Sequence, residues 1–399
     1  MDFGEVALAG AFLKPEDFQA EKKFPMRTFF CKDCFAVQVL DIIPPDVLFK
    51  DYFYFSSSIK TLCDHFYNYA LEVSNRFLNL PDATVLEFGC NDGVLLRPLA
   101  DQGIKNVIGV DPAENVVSSI DDKRINIINN FFTEEVAQNV LNEFGLVDLI
   151  MANNVYAHIS DIKGTTRAIK LVLADEGVFV FEVHYLGKVI EEMQYDMIYH
   201  EHLYYYSLLS ATEHFSKYDM VIFDVKAVPI HAGSLRFYVA KKGSRRAANV
   251  SDSVKNLEIE EKEKAYNKFQ SFQLFSEKVN ETKNDLITLL KKLKAEGKSV
   301  AGYGASGRAN TIIQYCGITS DLVSYMIDDA PAKIGYYTPG SHLEICPSSV
   351  LNGINPPDFV LVFAWSFIEE IINRNTKYIN SGGRMIVPLP EVKIINKSK

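Results

Sequence analysis

Two glycine turns, one tyrosine- and histidine-rich segment and one cysteine pair are the places in this 399-residue chain where residue type and spacing permit chemistry. The first turn reads Glu87-Phe88-Gly89-Cys90-Asn91-Asp92-Gly93, and a second acid, Asp111, closes the next apolar run at 107–110. Glycines let a backbone approach a ligand closely, and an acid after the second strand accepts a pair of ribose hydroxyls. Asp111 is the expected ribose ligand, and a generic nucleotide-binding turn is the alternative. The second turn, Gly302-Tyr303-Gly304-Ala305-Ser306-Gly307, has dinucleotide spacing, with Asp328-Asp329 about where a ribose acid would stand. On spacing alone it fits an NAD dehydrogenase or a tight turn that packs helix on strand. If it cradles a ligand, a branched residue at Gly304 blocks that approach. In Tyr199-His200-Glu201-His202 an imidazole can act as a base near neutral pH beside groups that donate hydrogen bonds. Cys31 and Cys34 have the spacing of half a four-cysteine zinc site, and no second pair accompanies them.

These residues need elements to hold them. From 84 onward short apolar runs at 85–88, 107–110, 125–128, 147–151 and 178–183 alternate with helical stretches, the signature of a parallel sheet covered by helices. Runs at 221–225 and 235–240 predict an antiparallel ending to the same sheet. The fold class is α/β. Its expected units are a small irregular, aromatic-rich lobe over 1–75, a Rossmann-like central domain over 76–250, a helical connector over 251–298 and a Rossmann-like α/β domain over 299–399.

Charge and composition exclude several classes of function. A net charge of -10 repels a phosphate backbone, so nucleic acid is not an expected partner. No apolar stretch reaches the roughly 18 residues of a membrane span, and the N-terminus has no basic-then-apolar leader, which predicts a cytoplasmic protein without a membrane partner. Six scattered cysteines do not make a disulfide framework. No partner protein is evident.

The first turn resembles that of class I methyltransferases, which cradles the amino-acid part of S-adenosylmethionine. Glu87, Gly89, Asn91 and Gly93 match it, and the polar residue that family places after its fourth strand falls on Asn153. Nearly the whole sequence resembles the three-domain sugar C-methyltransferases that act on nucleotide-linked 4-keto-deoxysugars. The matching segments are Cys31-Lys32-Asp33-Cys34, Asp51-Tyr52-Phe53-Tyr54-Phe55-Ser56-Ser57, the first turn, Tyr199-His200-Glu201-His202, the second turn through Asn310, and Pro339-Gly340. The resemblance disfavours the NAD reading. It implies S-adenosylmethionine in the central domain and a sugar diphosphate on the second turn, at Gly302, Gly304, Ser306, Gly307 and Arg308. That family's lobe holds zinc with four cysteines. The first pair is missing here, which implies a late start or a decayed site, so that zinc at Cys31 and Cys34 stays doubtful.

Joining a sulfonium methyl to carbon requires a carbon nucleophile, made by removing the proton beside a ketone. The resemblance implies His202 as base at C-3 of the sugar, Glu201 as its orienting or polarising group, Tyr199 near the ketone, His158 as a second active-site histidine and Tyr54, with Tyr52 competing, as a closing tyrosine. His184 ranks below His158, and His200, His214 and His231 read as surface or packing residues. O-methylation and a catalytically lapsed binding protein are the rival functions.

Overall fold

A computed structural model describes residues 1–49 and 55–395. The apolar runs of the middle third become strands whose continuous burial follows from helices covering both faces of a parallel sheet. Thr84–Phe88 is buried along its whole length. The seven strands lie in the order Met220–Val228, Ser234–Lys241, Leu173–His184, Val147–Asn153, Thr84–Phe88, Asn106–Val110 and Ile125–Ile128. Ser234–Lys241 pairs antiparallel with both neighbours, and the other pairings are parallel. Strand order reverses between Thr84–Phe88 and Val147–Asn153, which opens a crevice at their carboxyl ends.

Lys60–Phe77 and Leu96–Asp101 cover one face of this sheet, while Glu134–Phe144, Ile162–Val172 and Leu208–Ser216 cover the other. A buried ion network fastens the first helix. Arg236, only 2% exposed, donates to Glu182 through Nε and Nη2 at 2.9 and 2.8 Å, and to Glu72 at 3.2 Å. His65 meets the other Glu182 oxygen at 2.9 Å, and the guanidinium lies 3.4 Å over the Tyr69 ring.

The N-terminal lobe holds Asp2–Ala7, Lys23–Phe30 and Val37–Val39 in an antiparallel sheet whose last strand, Tyr204–Tyr205, comes from the central domain. That pairing ties the lobe to the segment that carries His202. In the C-terminal domain the strands run Ile345–Pro347, Met326–Asp328, Val300–Tyr303, Phe359–Val362, Arg384–Val387 and Lys393–Ile395, parallel except for the last. Asp252–Glu263 and Phe269–Ala295 bridge the two α/β sheets. One continuous core then joins Phe3, Val6 and Met26 of the lobe, Tyr195 and Ile198, Leu286 and Leu290 of the long helix, and Ile312, Ile313 and Phe363. Burial of each such residue contributes about 1.5–3 kcal/mol, so the lobe, the segment around His202 and the C-terminal sheet stabilise one another. No helix among the described residues is long and apolar enough to cross a membrane.

Candidate active site

The first turn leaves its strand through residues with left-handed backbone. Gly89, Asn91 and Gly93 have φ of 66°, 50° and 74°. A Cβ on Gly89 would stand 2.4 Å from Val155 Cγ2, so glycine lets the loop after Asn153 close onto the turn. Asp111 accepts the Asn91 N–H on one oxygen and the Ala113 N–H on the other, both at 2.9 Å. Asn153 Nδ2 donates to Glu87 Oε1 at 2.9 Å.

Glu87 Oε2, Asp92 Oδ1 and Asn153 Oδ1 are left buried without hydrogen-bond partners. Burial, reinforced by the charges of Asp111 and Asp92, pushes Glu87 up to about 8 against the pull of Asn153. Burial raises Asp111 as well. Unpartnered buried acceptors beside two acids suit a cationic group and hydroxyl donors. The Ser56 and Ser57 N–H groups donate to Asn91 Oδ1 at 2.9 Å and Asp92 Oδ2 at 3.1 Å, which seats that stretch of backbone on the turn. Tyr54 and Tyr52 themselves lie outside the described residues.

His202 sits where the central domain meets the lobe. Its Nδ1 donates to the Met197 carbonyl at 2.7 Å, so Nε2 carries the lone pair. Desolvation among packed rings pulls it down to about 4, which leaves it neutral at pH 7. The Ala157 carbonyl accepts the Leu203 and Tyr204 N–H groups at 2.9 and 3.1 Å and thereby draws the His158 loop to this segment. The rings of His158 and His202 stack with centroids 5.0 Å apart, and the Tyr199 ring lies 4.1 Å from His202. Burial, then the His202 charge, lowers His158. Burial raises Glu201 to about 7, and its Oε1 faces Gly10 of the lobe, where a Cβ would stand 3.9 Å away. His200 donates from Nε2 to the Pro25 carbonyl at 3.0 Å, and His214 meets Thr166 Oγ1 at 2.7 Å. Those two hold structure together.

The second turn serves packing as well as position. A Cβ on Gly302 would lie 2.3 Å from Met326 Sδ, and one on Gly304, at φ 94°, would lie 2.9 Å from Ala364 Cβ and 3.2 Å from its nitrogen. The space these glycines leave is filled by protein. Ser306 caps the helix Gly307–Tyr315 by accepting the Ala309 N–H. At Gly307 a Cβ would find Ala9 at 3.3 Å and the Tyr199 ring at 3.7 Å, so the helix start abuts both the lobe and the Tyr199–His202 segment. Thr311 donates to the Ile198 carbonyl at 2.8 Å, and Asn310 to the Ala7 carbonyl at 3.3 Å. Arg308 does not lie loose on the surface: its Nε donates to the fully buried Asp196 at 2.8 Å. Gly340 donates its N–H to Glu21 Oε1 at 2.7 Å, fastening the far end of the lobe.

Cys31 and Cys34 stand in a tight turn, where the Phe35 N–H donates back to the Cys31 carbonyl at 2.9 Å. No third histidine, cysteine or acid joins them among the described residues, so this donor set does not fit a bound zinc ion.

Residues 229–390 match a family model described as the C-methyltransferase C-terminal domain, and 60–224 match a methyltransferase domain. A third model, for a domain thought to bind zinc, matches 1–49. The C-methyltransferase NovU of Streptomyces niveus is 30% identical over 398 residues, spanning 99% of this chain and 94% of that protein. The chain belongs to the S-adenosylmethionine-dependent C-methyltransferase family. Its central sheet is the class I methyltransferase fold of that family. Among solved structures, a protein from the Haloferax volcanii complex of the Trm112 methyltransferase activator with a methyltransferase shares 17% identity at a TM-score of 0.37, covering 46% of this chain and 93% of that one. Magnesium protoporphyrin IX methyltransferase of Synechocystis PCC 6803 shares 15% at 0.36, covering 45% and 83%.

The acids and orphaned acceptors of the first turn fit the chemistry of the C-methyltransferase cofactor, which carries an ammonium and ribose hydroxyls. Residue spacing does not single out Asp196, Trp365, Gln194 or the Arg236 network. His184 is visible as a polar residue ending a strand at the ligand-binding edge, whereas Asp196 sits in a 3-10 turn with no periodicity to mark it.

Proposed function

We propose that this protein adds a methyl group to C-3 of a nucleotide-linked 4-keto-deoxysugar through an enolate, with His202 as the base. The observation that carries this reading is the commitment of His202 Nδ1 to the Met197 carbonyl, which leaves a neutral Nε2 lone pair beside Tyr199, at the junction of the cofactor domain and the second turn. The family assignment supplies the reaction class, and the resemblance of the whole sequence supplies the substrate class.

S-adenosylmethionine, when bound, supplies an electrophilic methyl group. Glu87 and Asp92 orient its amino-acid part, Gly89, Asn91 and Gly93 shape the turn around it, Asp111 takes the ribose hydroxyls, and Asn153 fixes Glu87. Deprotonation of the sugar falls to His202, whose neutral state at pH 7 follows from its desolvation. Glu201, close to half-ionised near pH 7, polarises the site, and Tyr199 stands near the ketone. His158, stacked on His202 and kept neutral by its burial, is the second active-site histidine. The second turn, Gly302, Gly304, Ser306, Gly307 and Arg308, borders the substrate, with the sugar diphosphate at the helix start. On this reading 1–75, 76–250, 251–298 and 299–399 are lobe, cofactor domain, connector and substrate domain of a cytoplasmic enzyme.

Purified protein incubated with S-adenosylmethionine and a panel of 4-keto-deoxysugar nucleotides is expected to give a product whose new methyl signal shows carbon attachment by NMR. An O-methyl signal would replace the reaction type, and no turnover with any nucleotide would overturn the reading.

A further inference from the structure

Buried side-chain atoms without hydrogen-bond partners fall into two groups near the site. Those of the first turn are acceptors. Those beside the histidines include both ring nitrogens of His184 and Nη2 of Arg308. A guanidinium nitrogen only donates, and a neutral imidazole has one N–H to give. The Gln194 side chain acts on the His184 ring only as the smallest of several influences, and neither ring nitrogen nor Gln194 Oε1 has a partner at hydrogen-bond distance. Leaving such donors buried and unmade costs about 1–3 kcal/mol each, which a ligand oxygen recovers.

Both side chains sit in ordered surroundings. Arg308 is held through Nε by Asp196 Oδ2 at 2.8 Å, and Trp365 Nε1 donates to that same oxygen at 2.9 Å. With Nε fixed, the planar fork fixes the direction of Nη2. His184 ends the strand Leu173–His184 at the carboxyl edge of the sheet, opposite Ser234. The adjoining loop turns through His231, Ala232 and Gly233 at φ 51°, 62° and 113°, and Gln194 Nε2 pins it by donating to the Ala232 carbonyl at 2.9 Å. Backbone strain of this kind persists where surrounding structure over-determines it, as at active sites. His184, His202, His231 and Arg308 lie within electrostatic reach of one another.

We propose that His184 and Arg308 are paired N–H donors to the oxygen of the substrate ketone, stabilising the charge it carries as an enolate. This rests on the keto-sugar reading and reassigns Arg308 from the diphosphate to the reacting sugar. His202 Nε2 takes the proton from the carbon beside the ketone, that C–H electron pair becomes the enolate double bond, and the carbonyl π pair moves to oxygen, where the two N–H groups meet it. As the carbon bonds to the methyl, the carbonyl reforms and the methyl–sulfur pair stays on sulfur. The proton leaves His202 to water.

The test uses a dTDP-linked 4-keto-2,6-dideoxyhexose in deuterated water, with S-adenosylhomocysteine present, and follows loss of the C-3 hydrogen by NMR. His184→Ala is expected to slow exchange by about 10²–10³-fold, the usual effect of removing an oxyanion donor, while binding of the sugar nucleotide changes little. Added imidazole is expected to restore part of the rate, which a packing role would not allow. Should His184→Ala melt well below wild type, His184→Leu fills the space without a donor. Free dTDP, which has no ketone, is expected to bind Arg308→Lys as it binds wild type, read from the emission of Trp365, the single tryptophan. Undiminished exchange in a folded His184 variant, or lost dTDP binding in Arg308→Lys, would overturn the inference alone. Wild-type protein that exchanges no keto-sugar nucleotide would overturn the substrate reading and this inference with it.

Discussion

The Asn153 amide donates to Glu87 Oε1 across 2.9 Å, joining the ends of the two strands that flank the crevice and leaving Glu87 Oε2 buried without a partner. Because burial pushes Glu87 up to about 8 from the ordinary 4.5, it is mainly protonated at pH 7 before ligand arrives. Pairing with an ammonium requires the carboxylate. Binding of S-adenosylmethionine at pH 7 is therefore expected to release a proton, and affinity to rise with pH until it levels off above about 8. Calorimetry in two buffers of different ionisation enthalpy measures this. Release of the same proton by Glu87→Gln would reject the assignment. The sign for stability is opposite to that of a salt-bridged acid. With the folded value above the unfolded one, the protonated group is tolerated below 4.5, and stability falls as pH rises from there through about 8.

Asp111→Ala is expected to weaken S-adenosylmethionine binding by about 1–3 kcal/mol through loss of a charge-assisted acceptor. Asp111 also receives the Asn91 and Ala113 N–H groups, so a lower melting temperature is expected too. Asp111→Asn, which keeps one acceptor oxygen, separates the two effects. Unchanged affinity in both variants would remove Asp111 from the ribose site.

His202→Asn is expected to bind both ligands and to exchange the C-3 hydrogen about 10²–10⁴-fold more slowly, since a neutral amide cannot act as a base near pH 7. The Met197 carbonyl loses its imidazole donor in this variant, so folding is checked by melting. Rapid exchange by the folded variant would move the base to His158.

Spacing in the second turn predicts that Gly304→Val blocks a ligand selectively. The structure changes that expectation, because Ala364 already occupies the space and the backbone is left-handed. Valine there is expected to destabilise the C-terminal domain by roughly 1–3 kcal/mol, the scale of strain at a non-glycine residue in such a conformation. Chemical denaturation reads the loss. Wild-type stability with lost sugar-nucleotide binding would restore the ligand role.

Removing the Arg236 guanidinium leaves Glu182 buried with only His65, so Arg236→Leu is expected to cost about 3–5 kcal/mol. Replacing both partners, Glu182→Leu with Arg236→Leu, is expected to recover much of it, since no buried charge is then stranded. A single variant as stable as wild type would show that the network contributes little.

Apolar runs of strand length, separated by helical stretches and turned by Gly89 and Gly93, were enough for the sequence alone to indicate a parallel α/β sheet, because burial on both faces and left-handed turn residues are local demands that local residues meet; the methyltransferase class came from the resemblance of the turn. The tyrosine-histidine segment was legible as chemistry by residue type, and by resemblance as a place for a base. Its geometry was not. The tautomer of His202 depends on a carbonyl five positions away, its stacking partner His158 comes from another strand's loop, and Arg308 is paired with Asp196 across 112 positions. The same holds for the second turn, where spacing does not reveal that Met326, Ala364 and Tyr199 stand against the positions a side chain would take at Gly302, Gly304 and Gly307. Such juxtapositions arise only when lobe, central segment and C-terminal sheet close around one core, so tertiary packing decided which buried polar atoms are left without a partner.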